Sequence, residues 1–388
     1  MNKKIVILVL ILLSMLSLAY TSEAKLYVFN WTEYIDPELV SEFEAINNCE
    51  VIEDYFDSNE SMLTKVASSS KSYDLVCPSG DHVQIMLEMD LLEKLDKSKL
   101  PNWEHLNPKI LDKLAYFDNA EDYAMPYFWG VTGILYNPNY LELGEDNSAS
   151  WSLFQDEKYK NKLMMLDDAR EVVGAALIAS GYSANDYSAQ ALKSAEEKLI
   201  LWDRNISQYH SDAYKNDIPQ EEVWIAQAYN GDALQVIREF DHLKFALMEE
   251  GGTYWIDSFV LLKNAENKDL AYKFLDFLME PEIAARNAEW VEYASPNLTA
   301  YNDFVDEETK SNELIYISDS YLDRCFPIKY LGENVTNISS LYERICLNSE
   351  NRRSEKSGMN KIIYLLILVA IFIPIILRRL RKMSSLPD

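Results

Sequence analysis

Apolar and polar positions change period along this chain, and the changes mark its elements. Leu26 to Phe29 is a short apolar run that reads as a strand. Asp36 and Pro37 then supply a cap and a first-turn proline, and Leu39, Val40 and Phe43 recur at helical spacing. Glu50 to Tyr55 reads as a second strand, Asn59 to Ser68 as a second helix, and Tyr73 to Ser79 as a third strand running into a turn. Strands alternating with helices predict an α/β protein with a parallel sheet, whose binding loops lie at the C-terminal ends of its strands. Trp31 and Tyr34 fall at one such end, Ser79 and Asp81 at another.

A second α/β unit follows the segment 126–130. Lys162 to Leu166 reads as a strand, 167–171 as a turn, and a helix runs from Val172 onward. Acids at such a turn serve either to cap free helix N–H groups or to bind a ligand, and both roles stay open for Asp167, Asp168 and Glu171. The apolar stretch Val223 to Leu234 carries Tyr229, Asn230 and Gly231, and Trp255 to Leu262 reads as a strand. Lys268 to Met279 predicts a helix burying Ala271, Phe274, Leu275 and Leu278. Tyr293 to Asn297 is a turn, and largely helical sequence follows. Trp255 and Asp257 are two apart, so on an extended segment they leave the same face. A ring plane beside a fixed negative charge suits an organic ammonium ion. An ordinary strand with one half-exposed acid is the plainer alternative.

The two ends have a different hydropathy. Residues 1–24 combine Lys3 and Lys4, an apolar run from Ile5 to Ala19 and a small-x-small site at Ser22 to Ala24, the pattern of a secretory signal peptide. Ile362 to Leu377 is apolar throughout, about 24 Å long as a helix against a hydrocarbon core of about 30 Å. Lys361 and Arg378 can snorkel to cover the difference. The basic residues after it put the C-terminus inside. A single-pass protein on the outer face of the cell membrane is expected, with a linker over 351–360, an anchor over 361–378 and a cytoplasmic tail over 379–388.

Composition narrows the function. With 388 residues, 48% of them hydrophobic, the chain is long enough for two cored lobes. The net charge is −27, and basic residues gather after Asn351, so the middle is strongly acidic. Such a surface repels nucleic acid and attracts polycations. The histidines at 82, 105, 210 and 242 show no ligand spacing, and neither a phosphate loop nor a nucleophile elbow is present. No metal, cofactor or catalytic residue is expected. Cys49 and Cys77 read as buried thiols, while Cys325 and Cys346 are close enough in sequence to bridge.

Taken in order, nine stretches resemble the spermidine/putrescine-binding proteins of polyamine ABC transporters. They are LYVFNWTEY (26–34), DSNE (57–60), YDLVCPS (73–79), LDKSKL (95–100), MPYFWG (125–130), DDARE (167–171), WIDS (255–258), NAENK (264–268) and YASPNL (293–298). The resemblance implies a two-lobed fold of the second periplasmic-binding-protein type, with hinge crossings near Pro126, Gly252 and Ser295. The lobes would be 25–126 with 255–295, and 127–254 with 296–350. It also implies that Trp31, Tyr34, Trp255 and Tyr293 flank a methylene chain, that Asp168, Glu171 and Asp257 take its ammonium groups, and that Thr32 and Ser79 are polar neighbours. Two positions depart from the family. Tyr229 stands where tryptophan is common, and Asp81 stands where spermidine binders carry tyrosine, exchanging a ring for a charge. The family's glutamine near the C-terminus has no counterpart at 330–332. The implied function is binding of spermidine or putrescine by a monomer that delivers it to an ABC permease and its ATPase subunits. A polyamine-sensing ectodomain is the runner-up, with a tail from Arg378 that is short for a signalling domain.

Overall fold

The computed structural model describes residues 24–68, 73–114, 120–349 and Arg352. Apart from Ala24 and Arg352, the signal peptide, linker, anchor and tail expected at the two ends lie outside the described residues. Among the described residues no helix is long and apolar enough to cross a membrane.

The chain opens with strand β1 (Ala24–Trp31), helix α1 (Pro37–Asn47), strand β2 (Cys49–Phe56), helix α2 (Asn59–Ser68), strand β3 (Leu75–Val76) and helix α3 (Gly80–Glu88). Asp36 caps α1 by accepting from the Glu38 N–H at 2.9 Å, and Leu39, Val40 and Phe43 are its buried face. Strand β3 is shorter than the apolar run around it. Cys77 still donates to the Phe29 carbonyl at 3.1 Å, but Pro78 has no N–H, so the ladder stops and α3 begins.

Next come α4 (Pro108–Leu114), β4 (Ala124–Tyr136), β5 (Ser148–Ala149), β6 (Leu163–Met165), α5 (Ala169–Ala179) and α6 (Ala189–Trp202). They are followed by β7 (Ile206–Tyr209), α7 (Tyr214–Asp217), β8 (Ile225–Tyr229), α8 (Asn230–Glu239), β9 (Lys244–Met248) and β10 (Thr253–Leu261). Helix α5 starts three residues before the expected Val172, because Asp168 caps it. The chain then runs through α9 (Lys268–Leu278), α10 (Pro281–Val291), α11 (Glu307–Ser311), α12 (Asp319–Leu322), β11 (Phe326–Pro327) and a helical stretch over 335–349. The region after Asn297 is thus less uniformly helical than its sequence predicts: β11 lies parallel to β10.

The sheet runs in the order β2-β1-β3-β10-β4-β8-β6-β7. Strands β1, β2 and β3 are parallel, as are β6, β7 and β8, while β10 lies antiparallel to β3 and β4. Strand β4 belongs to both halves. Its residues Ala124 to Val131 pair with β10, and Thr132 to Tyr136 pair with β8. One core gathers Leu26, Val28, Phe43, Phe259 and Phe274; another gathers Trp151, Leu163, Val173, Leu199, Trp202, Ile338 and Leu341. The result is a two-lobed α/β fold. Cys325 and Cys346 are not bridged. The first is buried near Tyr321 and Leu322, while the second packs on the core that holds Leu341 and Tyr342.

Candidate functional site

The C-terminal ends of β1, β3, β6 and β8 deliver loops from both lobes to one cleft of about 160 Å³. All the residues singled out in the sequence line it: Trp31, Thr32, Tyr34, Ser79, Asp81, Asp168, Glu171, Tyr229, Trp255, Asp257 and Tyr293. The fold collects them from six separated stretches of chain.

Aromatic rings make the apolar part of the wall. Trp255 meets Tyr293 edge-on with centroids 5.0 Å apart and Tyr229 at 6.0 Å, and Tyr34 meets Tyr293 at 5.7 Å. Two glycines give these rings their places. A Cβ on Gly231 would lie 2.6 Å from Tyr293 ring atoms, and one on Gly130 would lie 2.7 Å from Cζ2 of Trp255. Both contacts are shorter than carbon atoms tolerate, so a side chain at either position would push a ring out of the wall. The Tyr293 hydroxyl is then fixed by donating to Asp232 Oδ1 at 2.9 Å.

Strand β10 carries Asp257 into the cleft at an irregularity in its pairing with β4, between Asp257 and Ser258. Such a bulge re-aims the side chain it carries. Ser79 bridges back to Asp257 from the end of β3. Asp257 is buried; its Oδ2 accepts from the Tyr34 hydroxyl at 2.8 Å, and its Oδ1 has no hydrogen-bond partner among the described residues. Burial pushes this carboxyl up to about 7, against the opposing pull of the Ser79 and Tyr34 hydroxyls.

Helices α3, α5 and α8 open their first turns onto the same cleft. Each brings acids, which the positive end of a helix dipole favours. Asp168 is the N-cap of α5, its Oδ1 accepting from the N–H groups of Arg170 at 2.7 Å and Glu171 at 3.0 Å. Glu171 is buried and accepts from the Thr253 hydroxyl at 2.6 Å. Burial raises both carboxyls, and the charge of Asp168 raises Glu171 further. Capping and facing the cleft, which the sequence left as alternatives, are here combined in Asp168. Asp167 lies at the rim, where its Oδ1 accepts from Tyr342 at 2.6 Å.

Asp81 differs from these acids in already having cationic partners. Its Oδ1 lies 3.0 Å from His82 Nδ1, and its Oδ2 lies 3.8 Å from Arg170 Nη1. Burial works to raise the Asp81 carboxyl, but His82 and then Arg170 overcome that and hold it below its ordinary value. Sequence reasoning missed Arg170, His82, Lys215, Asp212 and Asp232, which also line the cleft. Asp232 had one available signal, its place in the first turn of a helix that starts beside Tyr229. Arg170 lies inside the DDARE stretch but had no role assigned there, and nothing in the order of residues marks Lys215. Among the described residues no acid, histidine or cysteine cluster is built to hold a metal ion.

Comparison with known proteins places this geometry. The family described as bacterial extracellular solute-binding protein matches residues 38–315. The spermidine/putrescine-binding periplasmic protein of Salmonella typhimurium is 36% identical over 287 residues, 74% of this chain and 81% of that protein. The putrescine-binding periplasmic protein PotF of Escherichia coli is 33% identical over 331 residues, 81% of this chain and 89% of that one. Among solved structures, a spermidine/putrescine ABC transporter substrate-binding protein of Streptococcus pneumoniae superposes with a TM-score of 0.74 at 33% identity, covering 84% of this chain and all of that one. This chain belongs to the family of bacterial extracellular solute-binding proteins.

Proposed function

We propose that this chain binds a polyamine of the spermidine and putrescine class in the cleft between its lobes and delivers it to an ABC permease with its ATPase subunits. The observation that carries the proposal is Asp257. It is a buried carboxylate against aromatic rings, with one oxygen unpartnered among the described residues. Burying a charge costs free energy unless a partner arrives, and here the partner is a ligand ammonium ion. Asp168 and Glu171 take the other ammonium end, while Trp31, Tyr34, Tyr229, Trp255 and Tyr293 flank the methylenes. Thr32 and Ser79 serve as polar neighbours. The names of the similar proteins support the same ligand class.

The energetics are adequate. Hydrogen bonds to a charged group contribute about 1.5–3 kcal/mol each and a desolvated cation–π contact about 2 kcal/mol. After association costs of at least 4 kcal/mol or so, a micromolar constant, about −8 kcal/mol, is within reach. The protein works by binding and release, as a monomer, without making or breaking bonds. We place the lobes at 25–126 with 255–295 and at 127–254 with 296–350. The shared core of Val28 with Phe274, and of Val173 with Leu341, supports that division. After removal of 1–24, the segment 361–378 holds the protein on the outer face of the membrane, with 379–388 inside.

Calorimetric titration of the purified chain with spermidine, putrescine and an amino acid control tests the ligand class. Saturable heats for the polyamines alone are expected. No binding of either polyamine at millimolar concentration would overturn the proposal.

A further inference from the structure

Among the described residues ten large hydrophobic side chains are exposed, and three of them gather at one place. Helix α6 and the helical stretch 335–349 lie side by side. Arg344 Nη2 meets Glu196 Oε1 at 3.1 Å, and further along both segments the Arg352 guanidinium meets the Asp203 carboxylate. The two segments therefore run in the same direction, and Ile200 and Leu347 each lie one turn past the first of these pairs, beside one another. Ile200 is 42% exposed, its neighbour Leu201 42% and Leu347 57%. Single apolar side chains on a surface are ordinary, whereas a group of them marks a contact.

The course of the chain says what that contact is. From Arg352 to Lys361, where the anchor proposed above begins, the chain spans at most about 30 Å even when fully extended. A folded body of about 320 residues has a radius of gyration of about 20 Å, hence a breadth of about 50 Å. A tether shorter than that breadth keeps the Arg352 end of the molecule against the bilayer and the opposite end away from it. Charge permits the approach. Arg344 and Arg352 are paired as described, and Lys198 and Arg204 balance Glu197 and Glu343 beside them, so this end lacks the strong negative charge of the rest of the middle.

We propose that Ile200, Leu201 and Leu347 dip into the headgroup boundary of the cell membrane, making this end of the molecule a lipid-contacting surface. The proposal rests on the anchor reading of the preceding subsection and adds an orientation to it. Interfacial binding scales with the apolar area buried, so three side chains orient the body while the anchor holds it. Strand β7 begins at Ile206, just past Asp203, and ends at Tyr209, beyond which Ser211 and Asp212 line the cleft. A strand of that length rises about 13 Å, which keeps the cleft clear of lipid and open to solutes from above.

The test is nitroxide depth measurement on the full-length chain in phosphatidylethanolamine–phosphatidylglycerol vesicles. Labels are placed by Ile200→Cys or Leu347→Cys in a Cys346→Ser background, the remaining cysteines being buried. Ile46→Cys is the reference, because Ile46 is 66% exposed at the end of α1 and belongs to the other half of the sheet. Relative to the reference, labels at 200 and 347 are expected to collide several-fold more with dissolved oxygen and several-fold less with a water-soluble nickel complex. Equal nickel collisions at 200, 347 and 46, in a chain that sediments with the vesicles, would overturn the proposal and leave the anchor intact. Exclusion of nickel without a gain in oxygen would also overturn it, since the cover would then be protein, either a second copy or the chain's own 353–360. A full-length chain that does not sediment with vesicles would overturn the anchor reading and the proposal together.

Discussion

Asp257 shows most plainly how one residue couples stability to binding. The groups facing it are Tyr34, Ser79, Cys77, Asp81 and Asp232, and no ammonium or guanidinium is among them. Its carboxyl is pushed up to about 7 in the folded chain, against about 3.9 unfolded. Over that interval the folded state binds the extra proton, so stability falls as pH rises from about 4 through 7. Asp257→Asn removes this loss. The ligand-free variant should melt above the parent at pH 8, and the gap should close near pH 4. In calorimetry the same substitution should weaken polyamine binding by at least about tenfold, the worth of one charged hydrogen bond. Unchanged affinity at pH 8 would remove Asp257 from the site. That Trp255 and Asp257 share a face was legible from their spacing. That Asp257 lacks a cation was not, because the absence of a neighbour is a property of the packed molecule. Asp81 makes the complementary point. Its charge was visible, but its partner Arg170 comes from a distant part of the chain.

At the scale of elements, the start of α5 combines structure and function in one side chain. Asp168 accepts two backbone N–H groups with one oxygen and faces the cleft. The two tasks separate by substitution. Asp168→Ser retains a cap, so its melting temperature should stay close to the parent's, whereas Asp168→Ala should lose about 1 kcal/mol. Both should lose affinity to a similar degree, because neither restores the negative charge. Thermal melts alongside titrations check this, and full affinity in the serine variant would reduce Asp168 to a cap. The elements with a polar face, such as α1 and α9, were readable from apolar spacing and capping residues. Strand β4 was not. It is buried along its whole length and interrupted by Pro126, Gly130 and Gly133, so it shows no alternation. A strand buried on both faces loses the period by which strands are recognised.

For the whole molecule, the sheet order explains why the cleft is assembled from both lobes. Strands β4 and β10 run side by side through the middle of the sheet, so loops from the strands on either side of them converge on one cleft. The helical stretch 335–349 completes the second core through Ile338, Leu341, Tyr342 and Ile345, and among the described residues the cleft draws none from beyond Ile328. Removal of 361–388 should therefore spare both lobes and the site, and with the anchor proposed above it should also release the protein from the membrane. The shortened chain is expected in the soluble fraction with a polyamine dissociation constant within about twofold of the parent's, the usual error of distant, uncoupled sites. At a ligand concentration of 100 times that constant it should gain about 2.7 kcal/mol of stability, read as a rise in melting temperature. A shortened chain that still sediments with membranes would refute the anchor. One that is soluble yet shows no ligand-dependent rise would refute the independence of the binding lobes from the tail.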